Sequence, residues 1–233
     1  KNINRPFHIF IINKIADKSI YYHIIPFSYF IIYPTENIVC LSDMKMIFII
    51  ICCLLLIASC KQNNSVVIIE TDFGVIGVEL YEENAPITCG NFIKYLKENR
   101  FKGASFYRTV TNNNQLEDSI KIAVIQGGLY EENHPSLLPP IIHENTAQTN
   151  IKHLNGVISM ARYEPGTATF EFFICIGDQP DLDYGGKRNP DGEGFAAFGR
   201  VIYGMDVVNT IHKQPEHNQY LTPKIPILGM EPE

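Results

Sequence analysis

From residue 66 onward the chain runs in short apolar beats separated by polar or glycine-rich breaks. VVIIETDFGVIGVELY (66–81) is a β-branched run, a break at Asp72, Phe73 and Gly74, and renewed alternation, which predicts a hairpin. In NAPITCGNFIKYLKEN (84–99) the period changes: Phe92, Tyr95 and Leu96 recur at helical spacing behind Pro86, a residue suited to a first helical turn. SFYRTV (105–110) and IKIAVIQGG (120–128) predict strands around the polar loop TNNNQLEDS (111–119). HLNGVISMAR (153–162) predicts a turn and a strand, TATFEFFICIG (167–177) an alternating aromatic strand, and FAAFGRVIYG (195–204) another strand. MDVVNTIHK (205–213) predicts a short helix with Val207, Val208 and Ile211 inward, and PKIPIL (223–228) a closing edge strand, where prolines are tolerated. Between them, DQPDLDYGGKRNPDGEG (178–194) is a loop of the length that usually serves function or moves. About eight strands and two helices, with no βαβ rhythm and no tandem repeat, predict an antiparallel barrel or sandwich. Closure would remove the edges of so many apolar strands.

The first 65 residues follow a different pattern. MKMIFIIICCLLLIASC (44–60) has a basic start at Lys45, an apolar run over 46–57, and small residues at Ala58 and Ser59, the layout of a secretory signal. The apolar stretch is shorter than the roughly 20 residues that a spanning helix needs. Its ending, IASC, resembles a bacterial lipobox, which implies cleavage before Cys60 and lipidation of that cysteine. KQNNS (61–65) then reads as a polar tether, with 230–233 as a tail after a domain of 66–229. Residues 1–43 are rich in Ile, Asn, Lys, Tyr and Phe without a clear period, and translation starting at Met44 or Met46 would leave them as a non-native upstream extension. The expected location is the bacterial cell envelope, with the domain lipid-anchored through Cys60 on the periplasmic or outer-membrane face.

Charge and cysteines narrow the function classes. The formal charge is −6 over 233 residues, but 1–60 hold five basic and three acidic residues, leaving −8 for the remainder. An acidic domain without basic blocks is a poor phosphate-backbone binder, so nucleic acid is not an expected partner. Of six cysteines, Cys40, Cys52 and Cys53 precede the expected cleavage site and Cys60 is the lipid acceptor. Only Cys89 and Cys175 remain; no pairing follows from two residues so far apart, and two buried thiols are expected. His134, His143, Glu144 and His153 fit no metal-binding helix face and are expected to be solvated or capping, so neither metal nor cofactor is expected.

One position resists a bland reading: Arg108 sits inside the strand-like SFYRTV. SFYRTV, VIQGG, GVISMAR, EFFICIGDQPDLD and FAAFGRVIYGMDVV, in that order over roughly 66–229, resemble the cyclophilin-type peptidyl-prolyl isomerases. The resemblance implies a closed eight-stranded antiparallel barrel capped by two α-helices, with a groove on its outer face. It implies that Arg108 acts in catalysis with Gln126 beside it. It also implies a substrate surface drawn from Phe106, Val124, Glu171, Phe173, Leu182 and Phe195, and from the backbone stretch Met160, Ala161 and Arg162. The chain departs from the family at Glu171, commonly glutamine, at Ala123, commonly phenylalanine, at Asp181, often tryptophan, and at Phe195, often histidine.

The chemistry stands beside that resemblance. Rotation about an X–Pro bond breaks amide resonance, and a fixed cationic donor aimed at the imide nitrogen stabilises the twisted state. The expected partners are proline-containing protein segments, and the expected oligomeric state is a monomer. Two function classes fit: an isomerase acting on envelope proteins, or a non-catalytic proline-peptide-binding, chaperone-like module. Retention of Arg108 favours the first. Elsewhere, Arg162 and Glu164 are expected to form a surface ion pair.

Overall fold

The computed structural model describes residues 64–131 and 134–233, together with two short strands, Ile11–Ile12 and Tyr22–His23, which pair antiparallel. The proposed signal, Cys60 and most of the tether lie outside the described residues. Among the described residues, no helix is long and apolar enough to cross a membrane.

The domain starts with the hairpin that the alternation predicts, β1 (Val66–Thr71) and β2 (Gly74–Leu80). Helix α1 (Pro86–Lys97) follows, then β3 (Ser105–Val110) and β4 (Val124–Gly128). A one-turn helix α2 (Thr146–Thr149) leads to β5 (Val157–Met160) and β6 (Phe172–Cys175). A 3-10 turn (Pro180–Leu182) interrupts the long loop before β7 (Ala196–Tyr203), α3 (Met205–His212), β8 (Glu216–His217) and β9 (Tyr220–Pro232). All ladders are antiparallel, in the order β8-β9-β1-β2-β7-β5-β6-β4-β3. Because β9 also pairs with β3, eight of these strands close into a barrel and β8 hangs from β9 as a short ribbon.

Alternate side chains fill the barrel: Val67 and Ile69 from β1, Ile76, Val78 and Leu80 from β2, Phe172 and Ile174 from β6. α1 buries Cys89, Phe92, Tyr95 and Leu96, with the Phe92 ring 5.1 Å from both Phe101 and Phe198. Each such side chain contributes about 1.5–3 kcal/mol through burial. α1 starts on Pro86, with no cap from its own flank. Glu144 supplies one from afar, accepting from the amides of Ile87 (3.2 Å) and Thr88 (2.7 Å). The carboxylate opposes the positive end of the helix, so Glu144 is a structural anchor. Asn145 caps α2 next to it, with Gln148 returning the bond, so the HENT stretch is a helix start and not a plain loop.

Several expectations shift. PKIPIL is no edge: β9 lies between β1 and β3, with Pro226 opposite Ser105, and Pro223 falls where the register slips between Tyr220 and Ile225. The strand also runs on to Pro232, opposite Val67, so residues 230–232 are barrel and not tail. At the other end, Asn64 bonds Glu79, and the Ser65 carbonyl accepts from Leu80. A third, four-residue helix adds to the two expected ones. Finally, β6 is buried on both faces rather than one.

Candidate functional site

Strand β6, buried on both faces, borders the site. On β6, Phe172 and Ile174 face the barrel core, while Phe173 and Cys175 join a separate apolar cluster outside it. That outer cluster also holds Val110 from β3, Ile122 and Val124 from the β4 segment, and Leu182 from the 3-10 turn; Ala161 and Phe195 pack against its rim. Phe195 stands edge-on to Phe173, with ring centres 5.3 Å apart. Its amide donates to the Leu182 carbonyl (2.9 Å), which ties the two walls together. Gly194 permits this closure: at φ +63° a Cβ there would lie 2.5 Å from the Asp183 carbonyl carbon. Ile122 was not foreseen; it supplies apolar bulk next to Ala123.

Cross-strand register sets the polar groups alongside. Arg108 is opposite Gln126, Gln126 opposite Phe173, and Phe173 opposite Ser159, so one outward row crosses β3, β4, β6 and β5. A bulge in β3 decides which aromatic joins that row. Phe106 pairs with Gly127 and Arg108 with Gln126, which leaves Tyr107 as the extra residue. The bulge breaks the rule that positions i and i+2 share a face. Phe106, expected in the groove two residues before Arg108, therefore points inward, fully buried against Phe172 at 5.8 Å. Tyr107 takes the outward place. Met160 is likewise a core side chain, fully buried in the barrel, because it alternates with outward Ser159 and Ala161.

Arg108 is clamped by two amides. Its Nη1 donates to Gln126 Oε1 (2.9 Å), and its Nε and Nη2 donate to Gln219 Oε1 (3.0 and 2.5 Å). Three of its five N–H bonds are thus used, leaving one on each terminal nitrogen. Burial lowers the guanidinium pKa, yet arginine stays charged at any physiological pH. Gln219 escaped sequence reading. It lies at the β8–β9 turn with φ +71°, behind Asn218 at +51°, and its side chain reaches on to the Asn114 carbonyl (2.9 Å). Only the polar hairpin residues hint at it in the sequence.

Glu171 stands just before β6, and its carboxylate accepts from the Tyr107 hydroxyl and from the Tyr130 amide (2.9 Å). Gln126 Nε2 donates to Tyr107 Oη (2.5 Å). Burial raises the Glu171 pKa, against the hydrogen bonds that lower it; burial and the Glu171 charge raise that of Tyr107 well above the ordinary phenol.

Behind the slot, His153 is buried, neither solvated nor capping. Its ring stacks on Phe173 (6.0 Å, 15° between planes) and bridges Asp183 Oδ1 (2.8 Å) and Ser159 Oγ (2.9 Å). Burial holds the imidazole below its ordinary pKa. For Asp183 burial pushes upward, but the His153 bonds outweigh it and keep the carboxyl low. A neutral ring beside a carboxylate carries its proton on Nδ1, so Ser159 donates to Nε2. Ser159 is fully buried, which rules out a nucleophile.

Arg162 does not pair with Glu164. It binds Asp191 through both terminal nitrogens (2.8 and 3.0 Å), donates to the Gly194 carbonyl, and lies 5.2 Å over the Phe195 ring. That brace holds Phe195 against the slot. The two thiols, Cys89 and Cys175, are free and buried, and burial pushes Cys89 up to about 12. Among the described residues, no group of acidic, histidine and cysteine side chains is arranged to hold a metal ion.

Residues 66–231 match the family described as cyclophilin type peptidyl-prolyl cis-trans isomerase/CLD. The chain is 33% identical over 158 residues to a peptidyl-prolyl cis-trans isomerase of Acinetobacter baylyi, covering 67% of this chain and 77% of that one. It is 30% identical to peptidyl-prolyl cis-trans isomerase B of Escherichia coli, covering 63% of this chain and 83% of its relative. In fold it is similar to a cyclophilin type isomerase of Cryptosporidium parvum, crystallised in the presence of the dipeptide Ala-Pro. That likeness has a TM-score of 0.56 at 21% identity, over 72% of this chain and 98% of the other. With a closed barrel of the same architecture and a match across the whole domain, the chain belongs to the cyclophilin-type peptidyl-prolyl cis-trans isomerase family.

Proposed function

We propose that this isomerase seats a prolyl ring in the outer slot formed by Val124, Phe173, Leu182 and Phe195, and that Arg108 donates to the prolyl nitrogen as the bond twists. The observation that carries this reading is the row Arg108–Gln126–Phe173, which sets a cation with two unspent N–H donors beside an apolar hollow. Resonance makes the uncatalysed barrier about 18–20 kcal/mol. Turnover near 10³ per second needs a barrier of about 13 kcal/mol. The site must then contribute roughly 5–7 kcal/mol without making or breaking a covalent bond. In the planar amide the nitrogen lone pair is delocalised; in the twisted state it localises and becomes an acceptor, so the Arg108 bond strengthens only there. Such a charge-assisted bond contributes about 1.5–3 kcal/mol, and more where water is excluded. Holding the ring while the preceding carbonyl swings supplies the remainder. Gln126 keeps the guanidinium in place and offers its remaining polar surface to the peptide backbone, with the Ala161–Arg162 stretch opposite.

The substrates are proline-containing segments of proteins, in keeping with the dipeptide used with the Cryptosporidium relative. We further place the monomeric domain at a bacterial envelope surface, held by lipid on Cys60; the signal-like run at 44–60 supports this. Mass analysis of the native N-terminus tests that location, and recovery of any peptide from 1–43 overturns it. For catalysis, a protease-coupled prolyl-peptide assay compares the wild type with Arg108→Ala. A loss of about 10²–10³-fold in kcat/KM with peptide binding retained supports the mechanism. If neither protein exceeds the uncatalysed rate while binding is intact, the chain is a non-catalytic peptide binder instead.

A further inference from the structure

The guanidinium of Arg108 depends on Gln126, and an amide side chain has two ends of opposite hydrogen-bonding sense. We propose that Tyr107 and Glu171 are positioning residues that fix which end of Gln126 faces Arg108. This rests on the reading of Arg108 as the catalytic donor.

The polarity follows from counting protons. Arg108 only donates, so it needs the Gln126 oxygen, and Oε1 lies 2.9 Å from Nη1. The amide nitrogen of Gln126 must then find an acceptor, and it lies 2.5 Å from Tyr107 Oη. A phenol has one proton. Tyr107 accepts from Gln126 only if it spends that proton elsewhere, and the Glu171 carboxylate takes it. An ionised carboxylate only accepts, so the far end of the chain is fixed as firmly as the Arg108 end. Glu171, Tyr107, Gln126 and Arg108 thus form a relay with one allowed sense.

The fold makes room for this carboxylate. Oε1 is held by the Tyr130 amide (2.9 Å), and Gly128 at φ +146° leaves space that a Cβ would fill at 2.7 Å from the same oxygen. The bulge that turns Tyr107 outward serves the relay too. The titratable and charged groups that face Glu171 are Tyr107 on β3, with Arg108 reached through Gln126, and Lys224 on β9. Tyr130 after β4 gives its amide, Lys224 Nζ lies 3.5 Å above the Tyr130 ring, and Tyr220 packs edge-on to that same ring. When Glu171 takes a proton it can donate to Tyr107. The phenol is then free to donate to Gln126, and the amide can turn its nitrogen toward Arg108, where two donors oppose each other. Burial raises the Glu171 pKa, so this happens at a higher pH than for an ordinary carboxylate.

The test is the pH profile of kcat and KM for a prolyl peptide, using the wild type, Tyr107→Phe, Glu171→Gln and Arg108→Ala. Thermal melting checks that each variant folds, and both positioning variants keep the original shape. Tyr107→Phe is expected to lower kcat about 3–10-fold near pH 7.5 with KM within about twofold, the value of one hydrogen bond. The wild-type rate divided by that of Glu171→Gln is expected to fall as the pH drops, with an inflection above the ordinary carboxylate range. Any limb from His153 is common to both proteins and leaves the ratio unchanged. In ¹⁵N spectra the Gln126 side-chain amide is expected to shift over the same range in the wild type only. If Arg108→Ala is inactive while Tyr107→Phe matches the wild type, or the ratio is flat with pH, the relay is overturned and the isomerase mechanism stands. If Arg108→Ala stays active, the mechanism falls and the relay with it.

Discussion

Phe172 and Phe173 are neighbours in sequence, identical in chemistry and almost equally buried, yet they belong to different parts of the molecule. Phe172 meets Phe92, Phe101 and Phe106 edge-on inside the barrel, in a cluster drawn from nearly every strand. Phe173 meets His153 and Phe195 outside it, in a cluster of six buried residues with a polar row at its margin. The inner cluster can relax only by opening the barrel, whereas the outer one is a lining over an already closed sheet. Burial alone therefore does not separate structure from function. What separates them is the side of the sheet, and the company kept there: aromatic rings within, a neutral imidazole, an arginine clamp and a loop without.

The sharpest way to break this contrast is to truncate each ring in turn. Phe172→Ala is expected to cost about 3–5 kcal/mol, a fall in Tm of about 6–20 °C by calorimetry. Phe173→Ala is expected to cost under half as much stability while losing most of the activity toward a prolyl peptide; equal losses of Tm would erase the distinction. Next in size, Arg162→Lys removes the planar grip on Asp191 that braces Phe195. We expect KM to rise about 3–10-fold with kcat little changed, as for a pocket wall that loosens. Two titratable groups of the groove, the buried His153 and the half-buried Glu171, give smaller effects of opposite sign. His153 has a lowered pKa, so its contribution is present above the ordinary histidine value and lost as the pH falls below it. Urea unfolding of the wild type against His153→Gln is expected to show a steeper acid loss in the wild type. Glu171 has a raised pKa, so its contribution is present at low pH and lost as the pH rises through that value. The wild type should therefore lose ground to Glu171→Gln between acid and neutral pH, and a constant difference would contradict the burial assigned to the carboxylate.

The hairpin 66–80, the helix behind Pro86 and the helix carrying Val207, Val208 and Ile211 were legible because each is local: a period and its punctuation suffice. The closed barrel was legible from the family resemblance and from the number of apolar strands. Phe106 was misplaced because its facing depends on a bulge, which leaves no mark in the local residue types, whereas Met160 is the core side chain that its place in an alternating strand implies. Gln219 was invisible because its role exists only once β9 closes on β3, 111 residues away from Arg108. Glu144, expected to be solvated or capping, does cap, but the helix it caps lies 56 residues earlier, which no local pattern reveals. His153 became a buried support for Phe173 only through Asp183 and Ser159, contributed by a loop and a strand.

By itself, the order of apolar and polar residues determined which segments are strands and helices, and that an arginine would stand on a strand of an all-apolar neighbourhood. Those are properties of contiguous chain, set by side-chain period and backbone preference. Which way each side chain faces, and which distant amide grips that arginine, was decided only when the sheet closed. Closure fixes the register between strands far apart in sequence, and a shift of one residue moves a side chain from the core to the groove.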